Sequence, residues 1–378
     1  MKKTIIAIAA LAAAGAASAQ SSVTMYGRVD TGYAYTKESE TNAAGTKKET
    51  TKTTGFKNAT GGGSSRLGFK GEEALGNGLS ATFGLEMGFD GSTGQFASAA
   101  FNRGAFVGLK GAFGEVRLGK SDTPMNNFDG TYKAVDNTES LAEAAEVTIS
   151  PYIPAGSLTP VLLEEKVKDI SYVGRPTGIF YAGSFSGVTV EAALGQSSIN
   201  TKDNAATAKN EKTNTATYGL GLSYETGPVA VGAAFQVDKA KSTGVLQSYD
   251  YTTTSYGVGA SYDLTAAKLF AQYKGGKIKA KLAAENEKAS YDQFAVGVSV
   301  PFGATTLSAE YGYNKGKEVD ATETAKAKGN VFAVQAAYAF SKRTSLVARA
   351  GQVANWKTKD SKAKYSKQEY SVGLVHKF

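Results

Sequence analysis

The segment YSKQEYSVGLVHKF, Tyr365–Phe378, decides the fold prediction because its side chains alternate with a period of two. One face is apolar and aromatic, and it consists of Tyr370, Val372, Leu374, His376 and Phe378. This period predicts a β-strand. A strand that ends on an aromatic residue is typical of the closing strand of an outer-membrane barrel, because its outward face contacts lipid and it leaves no open edge. We therefore predict that these five residues form a barrel assembly signal.

The first residues predict export. Lys2 and Lys3 are followed by an uncharged apolar run over 4–14 and by the small residues Ala17–Ser18–Ala19. This pattern predicts a secretory signal peptide over 1–19, with a mature barrel domain over 20–378. The alternative, an N-terminal membrane anchor, needs a longer apolar run. Beyond it the chain has no uncharged apolar stretch of helical membrane-spanning length, so the mature protein is either exported and soluble or a barrel.

Composition excludes several classes of protein. The chain has no Cys and a single His, which argues against disulfides, a transition-metal site or a His-dependent hydrolase, so we predict no cofactor, no metal and no enzyme activity. Its 44 Gly, 20 Tyr and 18 Phe suit strands with one lipid face and one wet face. Without Lys2 and Lys3, 40 basic residues face 34 acidic ones, from 42 and 34 in the full chain. This net charge of +6 is too small and too dispersed to predict nucleic-acid binding.

Turn and loop signals alternate along the mature chain. Seven short turns contain Gly, Pro, Asp or Ser, at Gly71–Gly78, Lys110–Gly114, Ser184–Gly187, Glu225–Pro228, Asp263–Ala267, Pro301–Gly303 and Ser341–Arg343. Eight polar connections lie near 37–52, 90–98, 122–174, 197–213, 240–250, 277–289, 315–327 and 357–364. Fifteen connections predict an all-β fold, a 16-stranded antiparallel transmembrane barrel that encloses water. A soluble sandwich also gives alternation, but it does not explain the export signal and the terminal Phe378 together.

Several stretches resemble one family, the trimeric general diffusion porins of betaproteobacteria. They are VTMYGRVD (23–30), SSRLGFKG (64–71), LGNGL (75–79), NRGAFVGLK (102–110), FGEVRLGK (113–120), FSKRTSL (340–346) and GLVHKF (373–378). The resemblance implies a homotrimer, with Gly104–Gly111 a candidate for its wall, in a bilayer with lipopolysaccharide. It also implies that the third outer loop, 122–174, folds into the lumen and narrows it. The family's acidic, Gly-containing turn motif is absent from 121–174.

The resemblance also implies an eyelet in which basic wall residues oppose acids on this loop. The matching basic positions are Arg28, Arg66, Arg103 and Arg175, and strand parity adds Arg117. The candidate acids on the loop are Asp129, Asp136 and Glu139. Two further residues, Glu86 and Lys70, are predicted to face the lumen.

Strand parity tests some of these positions. Leu67 and Phe69 point outward, which places Arg66 inward, and Arg28 passes the same test. Taking Phe106 as outward places Arg103 inward, although Val107 then shares the face of Arg103. Pro176 makes the parity of Arg175 unreadable. An Arg that faces lipid at mid-depth costs about 2–4 kcal/mol, so clustered Arg favours the lumen. The alternative for each Arg is a structural ion pair with Glu86 or Asp30.

These patterns predict passive diffusion of small hydrophilic solutes and ions, with a weak preference for anions that follows from the Arg set and the net charge. A substrate-specific channel, and a closed-lumen adhesin or structural barrel, stay open as alternatives. Small residues on the inward faces favour an open lumen. The one His, His376, is predicted to face outward, which disfavours an outer-membrane hydrolase.

Overall fold

The computed structural model describes residues 22–42, 44–96, 99–135, 173–202, 210–243, 249–282, 285–319, 324–358 and 362–378. The predicted signal peptide lies outside these residues. The strands are β1 Ser22–Thr41, β2 Lys48–Asn58, β3 Arg66–Gly76, β4 Leu79–Gly88, β5 Gly104–Gly111, β6 Gly114–Lys120, β7 Thr177–Phe185, β8 Val188–Lys202, β9 Asn210–Thr226, β10 Val229–Thr243, β11 Tyr249–Asp263, β12 Lys268–Leu282, β13 Glu285–Phe302, β14 Thr305–Val319, β15 Thr324–Ala339, β16 Thr344–Thr358 and β17 Lys364–Lys377. One short helix, α1, spans Pro124–Asp129. No helix among the described residues has the length and apolar character needed to cross a membrane.

The strands close into a 16-stranded antiparallel barrel, as predicted. β1 pairs with β2 over Thr31–Thr41 and with β3 over Ser22–Arg28, so β2 and β3 lie end to end and form one wall position. Each later strand pairs with its predecessor. β17 pairs with β1, from Arg28 opposite Lys377 to Thr41 opposite Lys364, and closes the barrel.

The short turns gather at one end of the barrel, and each of the seven predicted ranges overlaps a connection between two strands there. The range Gly71–Gly78 was too long, because β3 continues to Gly76. Asn77 and Gly78 join β3 to β4, and Ser186 and Gly187 join β7 to β8. All four residues have positive φ, between 50° and 84°. Two consecutive positive φ values define the hairpin turn whose twist matches that of the flanking strands. The longer connections lie at the opposite end, which is the outer end in barrels of this kind.

The outward surface is apolar, as alternation predicted. In β9, the outward side chains of Leu220 and Leu222 are 61% and 55% exposed, while the inward side chain of Thr217 on the same strand is buried. The predicted outward face of β17 is likewise exposed, from Tyr370 to Phe378. The ring of Phe378 lies over Gly27, where any added Cβ would overlap it. The main chains of Phe378 and Gly27 exchange two hydrogen bonds of 3.0 and 3.1 Å, so the last residue is locked onto β1.

Residues 59–65 connect β2 to β3 and turn into the lumen. This inward turn was not predicted. The carboxylate of Asp30, which is fully buried, accepts hydrogen bonds from the backbone N–H of Gly61 at 2.7 Å and of Gly63 at 3.1 Å. Thr60 packs over Gly32 and Gly373, which oppose each other on β1 and β17. Two facing residues without side chains thus make room for this inward segment.

The start of the third outer loop also lies inside the barrel. Thr123 caps α1 by accepting a hydrogen bond from the Asn126 N–H, and Pro124 opens the helix. Met125, Phe128 and the following Tyr132 are buried together against Ala234, an inward residue of β10. A buried apolar cluster therefore joins the start of the loop to the inner wall. The loop continues over 136–172, outside the described residues.

Candidate functional site

Glu86 on β4 gathers the central basic residues of the wall. Its carboxylate accepts a hydrogen bond from Arg103 Nε at 2.6 Å and one from the Tyr26 hydroxyl at 3.0 Å. Arg66 Nε lies 3.8 Å from the same carboxylate. Glu86 and Gly84 share one face of β4, and Gly68 and Arg66 share the matching face of β3. Two guanidinium groups therefore share one carboxylate on the lumen side, which leaves one positive charge uncompensated.

Arg28 has a different environment. Its Nη2 donates to Asp30 at 2.6 Å and to the carbonyl of Gly61 at 3.1 Å, and its side chain is almost fully buried. Arg28 thus braces the inward segment 59–65. Of the two readings that the sequence left open for Arg28, the contacts favour the structural ion pair with Asp30.

Arg117 points inward from β6, as strand parity predicted. Its Nη2 donates to Glu115 at 2.6 Å, and its guanidinium lies 4.6 Å from the centroid of the Phe106 ring. The expectation that Phe106 faces outward is wrong, because its ring packs over the lumen side of Gly84 and under Arg117. Val107 is 57% exposed and faces outward instead. The cation–π contact stabilises the aromatic ring on this wet face.

Arg175 lies just before β7, where the third loop returns to the wall. Its Nε is 2.7 Å from Asp122, at the start of the same loop, so this ion pair joins the two ends of the loop. Burial raises the pKa of Asp122, and the nearby Arg175 and Arg103 oppose that rise. Asp122 was missed in the sequence because it directly follows a strand, far in number from Arg175.

We call Arg28, Arg66, Arg103, Arg117 and Arg175 the arginine wall. The five side chains have four carboxylate partners among the described residues, and these are Asp30, Glu86, Glu115 and Asp122. Lys70 adds a further cation, with its Nζ 5.4 Å from the Tyr26 ring centroid. These six cationic side chains outnumber their four carboxylate partners, so the site carries a small excess of positive charge.

Asp129, predicted as an acid of the eyelet, lies at the last residue of α1. It is paired with Lys274 of β12 and lies 3.8 Å from Lys133, so both of these cationic neighbours are lysines. Lys274 and Asp129 are both buried. The pair therefore fastens α1 to the side of the barrel that bears no member of the arginine wall. The other two predicted acids, Asp136 and Glu139, lie outside the described residues.

Two more carboxylates on this side hold the loop by its backbone. Glu310 of β14 accepts from the N–H groups of Ala134 at 2.9 Å and of Val135 at 3.3 Å. Asp238 of β10 accepts from the N–H of Val173, at 3.2 Å, where the loop returns. Neither residue was predicted, since nothing local in the sequence marks a strand carboxylate as the partner of a distant backbone.

Glycines form the surface on which the loop rests. An added Cβ on Gly257 would overlap the ring of Phe128, and one on Gly259 or Gly232 would overlap Tyr132. We call this surface the loop wall, and its glycines are Gly219, Gly221, Gly232, Gly257, Gly259 and Gly297. Small inward residues were expected to favour an open lumen. Here they admit the side chains of the loop.

Comparison with known proteins agrees with this architecture. The family model described as Gram-negative porin matches residues 6–358. The chain is 46% identical over 126 residues to outer membrane porin protein 32 of Delftia acidovorans, which covers 33% of each protein. It is 36% identical over 149 residues to major outer membrane protein P.IB of Neisseria gonorrhoeae, covering 39% of this chain and 40% of that protein. The aligned segments thus span between a third and two fifths of these relatives.

Solved structures show the same fold. An anion-selective porin from Comamonas acidovorans superposes with a TM-score of 0.64 at 23% identity, covering 95% of this chain and 100% of that one. OmpT, an outer membrane protein of Vibrio cholerae, superposes with a TM-score of 0.58 at 15% identity, covering 95% and 98%. At these identities the likeness concerns the fold alone.

Proposed function

This chain belongs to the Gram-negative porin family, and from that premise we propose that it forms a water-filled channel for passive diffusion of small hydrophilic solutes and ions. The family places it in the outer membrane, among channel proteins rather than enzymes. The barrel is wide enough for water, because sixteen strands enclose more space than their own side chains fill. The arginine wall and the third loop, 122–174, then define the narrow part of the passage.

The observation that carries the proposal is the sharing of Glu86 by Arg66 and Arg103. Guanidinium groups that share one carboxylate in a lipid-facing position would be strongly unfavourable, whereas in an aqueous lumen the like charges repel by only about 1 kcal/mol at 4 Å. The arrangement thus requires water at this side of the wall. Its small positive excess supports a weak preference for anions.

The proposal includes the surroundings of the channel. It functions as a homotrimer, embedded in a bilayer that contains lipopolysaccharide. Val107 and Leu109 support a protein or lipid contact at Gly104–Gly111, because they are exposed apolar residues on the outward face of a short strand. Chemical cross-linking of the purified protein, read by gel electrophoresis without heating, tests the trimer. A gel that shows only the band of the monomer after cross-linking contradicts the trimer.

The channel is tested by electrical recording of the refolded protein in a planar bilayer under a potassium chloride gradient. We expect ohmic steps in groups of three and a reversal potential with the sign of mild chloride preference. A reversal potential with the sign of potassium preference contradicts the selectivity. Absence of conductance from a correctly folded barrel contradicts the open channel and favours a closed structural barrel.

A further inference from the structure

A row of lysines crosses four neighbouring strands near the outer end of the barrel. Lys315 on β14 is directly opposite Lys328 on β15, which is opposite Lys357 on β16, which is opposite Lys364 on β17. One step further out, Lys317 is opposite Lys326. We call these six residues the lysine row. Directly opposed side chains in a sheet lie about 5 Å apart, and like charges there are destabilising.

The lysine row faces the membrane side of the wall and not the lumen. Asn314 and Gly316 are buried on the inward face of β14, so Lys315 and Lys317 between and beyond them point outward. Ala327 and Tyr365 pack in an inward apolar cluster with Val331, which fixes the neighbouring lysines of β15 and β17 on the outward face. Lys357 is opposite two of these outward lysines and shares their face. All six side chains are exposed.

The row also lies at a defined depth. Tyr313 precedes Lys315 by two residues on the same face, and Tyr311 is opposite the exposed Phe332. Outward aromatic residues mark the level of the lipid headgroups, and two strand residues span about 7 Å. The ammonium groups thus stand immediately outside the aromatic girdle, where phosphate groups of the outer leaflet are found.

Among the described residues, one carboxylate is paired with the row. Asp292 lies 3.2 Å from Lys315, and the other five lysines form no ion pair with any side chain that the structure describes. Lys315, Lys317, Lys326, Lys328 and Lys357 line one groove of about 650 Å³. Asp292 also lines this groove, so its five lysines face one carboxylate among the described residues, and this excess of positive charge suits an anion from outside the chain. Phosphate monoesters suit them, since Lys binds phosphate as a compact point charge.

From this arrangement we infer that the lysine row is a binding site for a phosphorylated glycolipid of the outer leaflet, held through its phosphate groups. The inference rests on the proposed placement in the membrane but not on transport. A soluble anion in the channel cannot reach the row, because the strands separate it from the lumen. Lysines near an anionic membrane surface contribute about 1 kcal/mol each, so several together give a stable attachment.

The test compares binding of bisphosphorylated lipid A, and of the same lipid without its phosphates, to protein in neutral detergent by native mass spectrometry. Lys328→Gln/Lys357→Gln should bind the phosphorylated lipid at least about tenfold more weakly, from two lysines at the strength given above. Lys328→Arg/Lys357→Arg should retain binding. The matched control is Lys239→Gln/Lys241→Gln on β10, because these outward lysines face Thr252 and Asp250 rather than other lysines.

Each outcome decides the inference. Binding by the Gln pair within twofold of the unaltered protein overturns it, as does equal binding of the phosphate-free lipid. Full displacement of the lipid by inorganic phosphate at about 10 mM identifies a site for soluble anions and overturns the lipid assignment. The conductance of the Gln pair should be unchanged. Absence of conductance from the unaltered protein, with its lipid binding intact, would instead count against the proposed channel function and not against this site.

Discussion

The arginine wall and the loop wall face each other across one lumen and are built in opposite ways. Strands β3–β6 are 7 to 11 residues long, and their inward faces present guanidinium and carboxylate groups. Strands β9–β13 are 15 to 18 residues long, and their inward faces present glycines covered by the loop. The comparison shows that a small inward residue is not by itself a sign of open space, since its neighbour decides whether the space is filled.

The attachment of the loop to its wall is the part of this comparison with the largest expected effect. Asp129→Asn removes the carboxylate that is paired with the buried ammonium of Lys274, and loss of one partner of a buried ion pair costs about 3 kcal/mol. We expect the loop to detach from the wall and single-channel currents to become larger and noisier in planar bilayers. Asp129→Asn/Lys274→Gln removes both charges and should recover quiet currents. Quiet currents in the single variant would show that this pair does not hold the loop.

The glycine surface can be tested by a matched pair of substitutions. Gly257→Ala forces the ring of Phe128 to move, and overpacking of this kind costs about 1–3 kcal/mol. Gly312→Ala is the control, because an added Cβ there meets its nearest atoms at 3.6 and 3.7 Å, which is ordinary contact. Thermal unfolding in detergent should show a lower midpoint for Gly257→Ala only. Equal unfolding midpoints for the two variants would mean that Phe128 can move aside without loss of stability.

The arginine wall should affect selectivity and leave the loop in place. Glu86→Gln removes the carboxylate that Arg66 and Arg103 share, so the anion preference should rise. Arg66→Gln removes the excess cation and should lower it. Two unit charges 4 Å apart interact with an energy of about 1 kcal/mol in water, so we expect the permeability ratio to change on the order of a few-fold. Reversal potentials measure both, and shifts of the same sign in the two variants would contradict this account.

Much of this architecture could be predicted because it depends on neighbours along the chain. Alternation in Tyr365–Phe378 predicted the closing strand, and the turn residues of Gly71–Gly78 predicted the connection that Asn77 and Gly78 make between β3 and β4. Parity alone placed Arg117 inward. The interruption at 59–65 was missed although Gly61–Gly62–Gly63 was visible, because its cause is the buried Asp30 of another strand.

The candidate site was harder to predict for the same reason. Asp129 and Lys274 are 145 residues apart, and neither has a local signal that names the other. Glu310 and Asp238 read as ordinary polar residues of strands until the loop backbone is placed beside them. Phe106 was taken as outward, whereas the guanidinium of Arg117 on the neighbouring strand makes the lumen favourable for its ring.

The smallest expected effect is a pH dependence of the anion preference, caused by the ion pair between Asp122 and Arg175. Burial raises the pKa of Asp122, so this carboxylate accepts a proton at a pH above the usual Asp value of about 4. As the pH falls through that range, Arg175 loses its negative partner and the lumen becomes more positive. The anion preference should therefore rise on acidification, before exposed carboxylates titrate. Reversal potentials of Asp122→Asn should already be shifted at neutral pH and should not change further over that range. A variant that keeps the full pH dependence would assign the titration to another carboxylate of the lumen.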